Sequence, residues 1–410
     1  MSLKLVCTGC GDAYAIDDAV IRCRSCGEPL DVQGYESPSL RPGTWHGQTL
    51  IERYAEFLPV SDKYRSLSLW EGFTPLLECP QLSSVAGCAR VLLKNETVNP
   101  TWSFKDRGTL VAMCDAISRG YDHVGVVSTG NMAASVAAYG ARAGVRVLVL
   151  VSEGMPAEKY VPIGVHGATV VRVSGDYAAI YERTVSTGVE RIRFLNSDVP
   201  MRVEGSKTIA YEICEQTGYE PPQWVVVPTS SGGNLRGIVK GFDEMKSAGL
   251  ISRMPRIVCV QAAGCAPIVE AWDRGEETVA PVPHPRTVAH AIENPNPPSG
   301  NAVLRRLRER NGLCVAVEDA LILEAQQLMA SCGVFGQPAA AVALAGVMVL
   351  ADKEHFAPTD SVVCIATGSG LKSPGVVGPR LPGCGACDMS ELDLVIGHWL
   401  DGRFPEGVAS

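Results

Sequence analysis

The chain has 410 residues, 46% apolar and 20% charged, which suits two or three globular domains and excludes a disordered chain. Its net charge of −8, with no local basic patch, gives no reason to expect a nucleic-acid partner. The longest apolar run, Ala339 to Ala351, is shorter than the roughly 18 residues a membrane helix needs, and the start, Met1-Ser2-Leu3-Lys4-Leu5-Val6-Cys7, lacks the apolar stretch of a secretion signal, so a soluble, cytoplasmic enzyme is expected.

There are fifteen cysteines. Cys7-x2-Cys10 and Cys23-x2-Cys26 bracket twelve residues, and each pair is followed by a glycine, Gly11 or Gly27. Four thiolates on two such turns can surround one tetrahedral Zn²⁺, and the intervening segment is too small to fold by hydrophobic burial alone. The expectation is a structural zinc ribbon over residues 1–34, with all four ligands from protein and no open position for catalysis. Redox-active thiols are the alternative for this spacing. The remaining cysteines, such as Cys114, Cys259 and Cys364, lie singly in apolar stretches and read as reduced, buried thiols.

From about Val91 onward the pattern is α/β. Apolar, β-branched runs at His123–Ser128, Val145–Val151, Thr169–Val173, Trp224–Thr229, Arg256–Val260 and Ser361–Thr367 read as buried parallel strands. Helical patterns alternate with them. Asp106–Gly120 places Leu110, Cys114 and Ile117 on one face, and Asn131–Gly144 is rich in alanine. The alternation predicts two doubly wound lobes with open parallel sheets and a cleft between them. After Pro374 the tail turns Gly- and Pro-rich, carries the lone pair Cys384-x2-Cys387, and ends in an amphipathic segment, Ser390–Leu400.

Four strand-to-helix junctions carry unusual chemistry, and ligands of open α/β sheets bind at the carboxyl ends of strands. In Asn99–Gly108, Lys105 stands near the positive end of a helix, where a lowered pKa would make it a usable amine nucleophile. Ser128-Thr129-Gly130-Asn131 offers free amides for a carboxylate, or a plain helix cap. Thr229-Ser230-Ser231-Gly232-Gly233-Asn234 has the glycines and hydroxyls of a phosphate cradle but lacks the ending of a nucleotide P-loop. Thr367-Gly368-Ser369-Gly370 puts a hydroxyl at a strand end. A nucleophilic lysine, a carboxylate loop and a phosphate cradle together suit a pyridoxal 5′-phosphate (PLP) enzyme.

In the order Glu71-Gly72-x-Thr74-Pro75-Leu76, Asn99–Gly108, Thr129-Gly130-Asn131, Asn196-Ser197, Arg202-x-Glu204-Gly205-x-Lys207-Thr208, Gly232-Gly233-Asn234 and Thr367-Gly368-x-Gly370-Leu371-Lys372, residues 68–375 resemble the threonine synthases, fold-type-II PLP enzymes of the tryptophan-synthase β family. The resemblance implies a large PLP-binding lobe over 35–110 and 205–380, a small mobile lobe over 111–204 and a tail over 381–410. It implies that Lys105 is joined covalently to the cofactor and moves protons at the substrate. Asn131 would bond the ring hydroxyl, Ser230, Ser231, Gly232, Gly233 and Asn234 the cofactor phosphate, and Thr367 would face the pyridine nitrogen. A neutral hydroxyl there drains less charge into the ring than an ion pair would, which favours elimination and replacement over transamination. Ser128, Thr129, Gly130 and Met132 would line the substrate, with Ser197 and Arg202 at its phosphate. The implied reaction turns O-phospho-L-homoserine and water into L-threonine and phosphate in a homodimer. Replacement on O-phosphoserine, by sulfite or an amine, and serine or threonine dehydration are alternatives within the same fold. Departures from the family pattern fall on the substrate side: Ser230-Ser231 for Gly-Asn, Met132 for threonine, Trp102 for glycine and Ser206 for glutamine. His290 lies in Val288–Ile292, a segment that approaches the active site in the family.

Overall fold

The computed structural model describes residues 3–35, 47–128, 130–153, 160–175, 177–187, 189–376 and 387–401. Residues 1–370 make one compact unit and residues 371–410 another.

At the N-terminus, β1 (Lys4–Cys7) pairs antiparallel with β2 (Ala13–Ala15) and with β3 (Leu30–Gln33). This is the three-stranded ribbon that the cysteine spacing predicts. Its knuckles turn at Gly11 and Gly27, both at positive φ, which a residue without a Cβ adopts at no steric cost.

Two sheets follow. The larger one contains β4 (Leu76–Glu78), β5 (Arg90–Asn95), β10 (Trp224–Pro228), β11 (Arg256–Ala262), β12 (Leu313–Val317) and β13 (Ser361–Ala366), in the order β12-β11-β10-β13-β5-β4. All its pairings are parallel except that of the edge strand β4. The smaller sheet contains β6 (His123–Val127), β7 (Arg146–Ser152), β8 (Thr169–Val173) and β9 (Arg193–Phe194), all parallel, in the order β8-β7-β6-β9. The chain thus leaves the large sheet after β5, builds the small one, and returns at β10. The last strand, β13, slots between β10 and β5, and that reversal of strand order opens a crevice at the carboxyl ends.

The central strands are apolar on both faces because helices cover both: every residue of β10 is buried, as are five of the six in β13. The apolar run from Ala339 lies inside the Pro338–Asp352 helix, buried among β10–β13. Among the described residues no helix is long and apolar enough to cross a membrane.

Three strands end one residue earlier than their apolar runs suggest: Ser128, Thr229 and Thr367 each fall outside the ladder. In each case a hydroxyl residue leaves the sheet to begin the junction. The short strands β4, β9 and β12 were not distinct in the sequence. β9 has only two residues, and β12 is a partly exposed edge. In the second unit the tail segment forms a helix, Leu392–Leu400, that exposes Leu394, Trp399 and Leu400. Cys387 is exposed, and Cys384 lies outside the described residues.

Candidate active site and ribbon

Lys105 is the first residue of the Lys105–Ser118 helix. Its position is set by a zipper to the end of β13. Phe104 N donates to Thr367 O at 3.0 Å, Ser369 N donates to Trp102 O at 2.9 Å, and Ser103 bridges Gly368. On the other side of this segment, Gln337 N donates to Gly368 O at 2.9 Å. Thr367 and Lys105 are therefore brought to the same crevice by backbone bonds alone.

The start of the helix is fixed by Asp106, whose carboxylate accepts from Thr101 N at 2.7 Å and Thr101 Oγ1 at 2.6 Å. Two residues after Lys105, Arg107 is fully buried. It donates to Glu96 at 2.7 and 2.8 Å and to Glu212 at 2.5 and 2.7 Å. Glu212 also accepts from Lys94 at 2.7 Å and from the amides of Phe73 and Thr74. The Glu71–Leu76 motif is thereby tied to the base of the lysine helix. Removing one partner of such a buried charge cluster typically costs about 3–5 kcal/mol, so the cluster makes a rigid footing.

The pKa of the Lys105 ammonium is lowered to about 7, first by burial and second by the Arg202 guanidinium. Arg202 lies on the Pro200–Ser206 helix and is itself buried. It donates to Thr109 Oγ1 at 2.9 Å and to Lys105 O at 3.3 Å. Burial lowers the pKa of Arg202 to about 10, against the opposing pull of Asp106 and Tyr177. Ser135, on the Asn131–Ala143 helix, donates to Asp106 at 2.6 Å and lies 2.7 Å from Thr109 Oγ1. Lys105, Arg202 and the helix opened by Asn131 thus share one hydrogen-bonded chain.

Asn131 starts its helix facing the β13 junction. A Cβ at Gly368 would lie 3.2 Å from Asn131 Nδ2 and 2.9 Å from Gln337 Nε2, so a side chain there would push both amides back. Ser128 Oγ accepts from Gly130 N at 3.2 Å, Gly130 is exposed, and Met132 is buried one residue beyond Asn131. Thr129 lies outside the described residues.

The Ser230–Asn234 turn follows β10 and opens the Gly233–Ser247 helix. Gly232 has φ +90° and a Cβ there would lie 3.0 Å from Ser299 Cβ, so this position requires glycine on both counts. A Cβ at Gly233 would lie 2.7 Å from Ser197 O, which presses the turn against the Ser197 segment. Both amide atoms of Asn234 are buried without a hydrogen-bond partner, and so is the hydroxyl of Ser103, whereas the Ser197 side chain bonds Tyr177. Buried polar atoms left unpaired cost about 1–3 kcal/mol each, and a polar guest beside Asn234 and Ser103 would offset that cost. A helix N-terminus and a glycine turn beside them suit a phosphate group.

In the ribbon, the sulfurs of Cys7, Cys10, Cys23 and Cys26 all lie within 4.8 Å of one another. The pairs Cys7–Cys26, Cys10–Cys23 and Cys10–Cys26 are 3.4, 3.5 and 3.6 Å apart. Tetrahedral Zn–S bonds of about 2.3 Å place sulfurs about 3.8 Å apart, so the cluster fits the ion. The amides of Gly9 and Cys10 donate to Cys7 Sγ at 3.3 and 3.4 Å, as thiolate ligands require.

These features coincide with relationships across the chain. Residues 67–368 match the model of the pyridoxal-phosphate dependent enzymes. The chain belongs to that family. It is 37% identical over 406 residues to a threonine synthase of Methanocaldococcus jannaschii, covering 95% of this chain and 98% of that protein. A threonine synthase of Mycobacterium leprae is 38% identical, covering 86% and 95%. Among solved structures, a fungal L-serine ammonia-lyase from Rhizomucor miehei matches at a TM-score of 0.64 and 22% identity, over 75% of this chain and 96% of that one. A maize serine racemase matches at a TM-score of 0.64 and 17% identity, over 78% and 98%, so these two speak for the fold. The fold-type-II α/β architecture and dependence on PLP follow from the family.

Of the residues singled out in the sequence, Lys105, Thr367, Arg202 and Asn131 are joined through the bonds and contacts above, and Ser197 abuts Gly233. His290 is instead an exposed imidazole paired with Glu293 at 3.0 Å. Sequence reasoning missed Ser103, Asp198, Ser299 and Gln337. Ser103, two residues before Lys105, and Asp198, next to Ser197, had a local signal, whereas Ser299 and Gln337 had none.

Proposed function

We propose that this chain converts O-phospho-L-homoserine and water to L-threonine and phosphate. The observation that carries the reading is the Lys105 amine, its pKa lowered to about 7 beside Arg202, in a chain that aligns over nearly its full length with threonine synthases. Lys105 would join the PLP aldehyde, and Asn131 would donate to the ring hydroxyl. The Ser230–Asn234 turn would hold the cofactor phosphate, where the unpaired Asn234 amide supports a polar guest. Thr367 would meet the pyridine nitrogen with a neutral hydroxyl. The cofactor, once bound, supplies an electron sink for carbanion chemistry at the substrate.

The protein's own groups do the rest. Arg202 and Ser197 take the substrate phosphate, a dianion that suits a guanidinium fork. Ser128, Thr129 and Gly130 take the carboxylate, and Met132 bounds the space over the reacting carbons. Lys105, neutral for much of its time near pH 7, accepts a proton from the substrate and returns it at the neighbouring carbon. Phosphate leaves from the γ-carbon and water adds at the β-carbon. The helix of Asn131 belongs to a small lobe, residues 111–204, that closes over the substrate. The four ribbon cysteines hold a structural Zn²⁺, and the enzyme works as a cytoplasmic homodimer.

The test is purified enzyme given O-phospho-L-homoserine, with phosphate release and threonine formation both followed. Equal amounts of the two products support the reading. No threonine from that substrate, with turnover of O-phosphoserine and sulfite instead, would overturn it.

A further inference from the structure

The ribbon makes contacts that its metal does not need. Arg22, the residue before Cys23, donates to Pro298 O at 2.7 Å, to Tyr181 Oη at 3.3 Å and to the carboxylate of Asp198. Asp198 is fully buried, accepts also from Tyr181, and follows Ser197 directly. One guanidinium thus joins the segment beside the small sheet, which carries Ser197, to Pro298 on the side of the large sheet. The other side of the ribbon reaches the same place. Asp31, on β3, accepts from Arg236 at 2.6 Å, and Arg236 donates to Ser299 Oγ at 2.9 Å. Ser299 N donates to Ser231 O at 3.0 Å, inside the phosphate turn. Arg236 and Asp31 are buried, and Arg306 pairs with Asp31 as well.

We infer that the ribbon braces the phosphate-binding groups, with Arg22 as a positioning residue that holds Ser197 against the Gly232-Gly233 turn. This rests on the reading that Ser197 and Arg202 take the substrate phosphate. The geometry supports it: Ser197 O is the atom a Cβ at Gly233 would strike, so the spacing between the two segments is set where Arg22 grips one of them. An arginine suits the position best, because its two terminal nitrogens serve Pro298 O and Asp198 separately, whereas a lysine offers a single nitrogen.

The experiment uses zinc-loaded holoenzyme and the variants Arg22→Ala and Arg22→Lys. Steady-state kinetics with O-phospho-L-homoserine are measured, together with competitive inhibition by inorganic phosphate and the cofactor absorbance. The expected result is a KM and a phosphate inhibition constant both raised at least tenfold in Arg22→Ala, with kcat within about threefold and the absorbance unchanged. Arg22→Lys should fall between Arg22→Ala and the unaltered enzyme. Because Arg22→Lys keeps the charge, it reports even if Arg22→Ala does not fold. Unchanged KM and phosphate inhibition in a folded variant would overturn the inference, as would a parallel loss of kcat and cofactor with KM preserved. If the unaltered enzyme fails to turn over the substrate, the functional reading fails instead, and phosphate binding measured by thermal shift still decides the role of Arg22.

Discussion

The guanidinium of Arg202 donates to the backbone carbonyl of Lys105 at 3.3 Å, so the charge that would meet the substrate also sits beside the amine that would hold the cofactor. On the proposed roles, one contact would couple phosphate recognition to amine reactivity.

Arg202→Gln separates them. Loss of the positive charge removes one of the two causes that lower the Lys105 ammonium, so its pKa rises above about 7. A neutral amine attacks the aldehyde, so capture of PLP by apo-protein accelerates as pH rises through the amine's pKa and then levels off. The variant's profile is expected to shift to higher pH than the parent's, and its KM for phosphorylated substrate to rise about tenfold to a hundredfold. Stopped-flow capture rates against pH check the first point, and an unshifted profile contradicts it.

Gly205 and Arg107 touch through backbone. A Cβ at 205 would lie 2.1 Å from Arg107 O, and one at Gly108 would lie 2.8 Å from Arg202 O. Gly205→Ala must push the Pro200–Ser206 helix from the lysine helix at a cost of about 1–3 kcal/mol. Urea unfolding should show the loss, with KM raised because Arg202 moves with its helix. Unchanged stability would mean that the helices separate freely.

Trp102 sits at φ +62° with 48% of its surface exposed. A non-glycine residue in that region costs on the order of 1–3 kcal/mol, and an exposed indole recovers little of it. Trp102→Gly is expected to stabilise the fold by about 1 kcal/mol in urea unfolding, with the Ser369 N to Trp102 O bond intact. A loss of stability would show that the indole packs more strongly than its exposure implies.

Metal analysis should find one zinc per chain, and chelation should unfold the ribbon. Because Arg22 and Asp31 lie on it, the chelated protein is expected to lose affinity for phosphate before it loses cofactor absorbance. Full phosphate affinity after complete chelation would contradict this.

Much of this architecture was legible in the sequence because its signals are local. Continuous apolar runs mark strands covered on both faces, and the cysteine spacing marks the ribbon knuckles. The hydroxyl- and glycine-rich junctions at 128–131, 229–234 and 367–370 mark where strands end. What was not legible depends on contacts between distant segments. Arg22 adjoins Cys23 and Asp198 adjoins Ser197, but the two are 176 positions apart and nothing in the sequence pairs them. Ser299 and Gln337 likewise matter only because the fold lays them beside Ser231 and Gly368.

Every role proposed for the crevice depends on Lys105 being the residue joined to the cofactor. Borohydride reduction of the holoenzyme followed by peptide mapping tests it most directly. A single pyridoxyl-labelled peptide modified at Lys105 is expected, and no label in Lys105→Ala. A label on any other lysine, or full labelling of that variant, would contradict it.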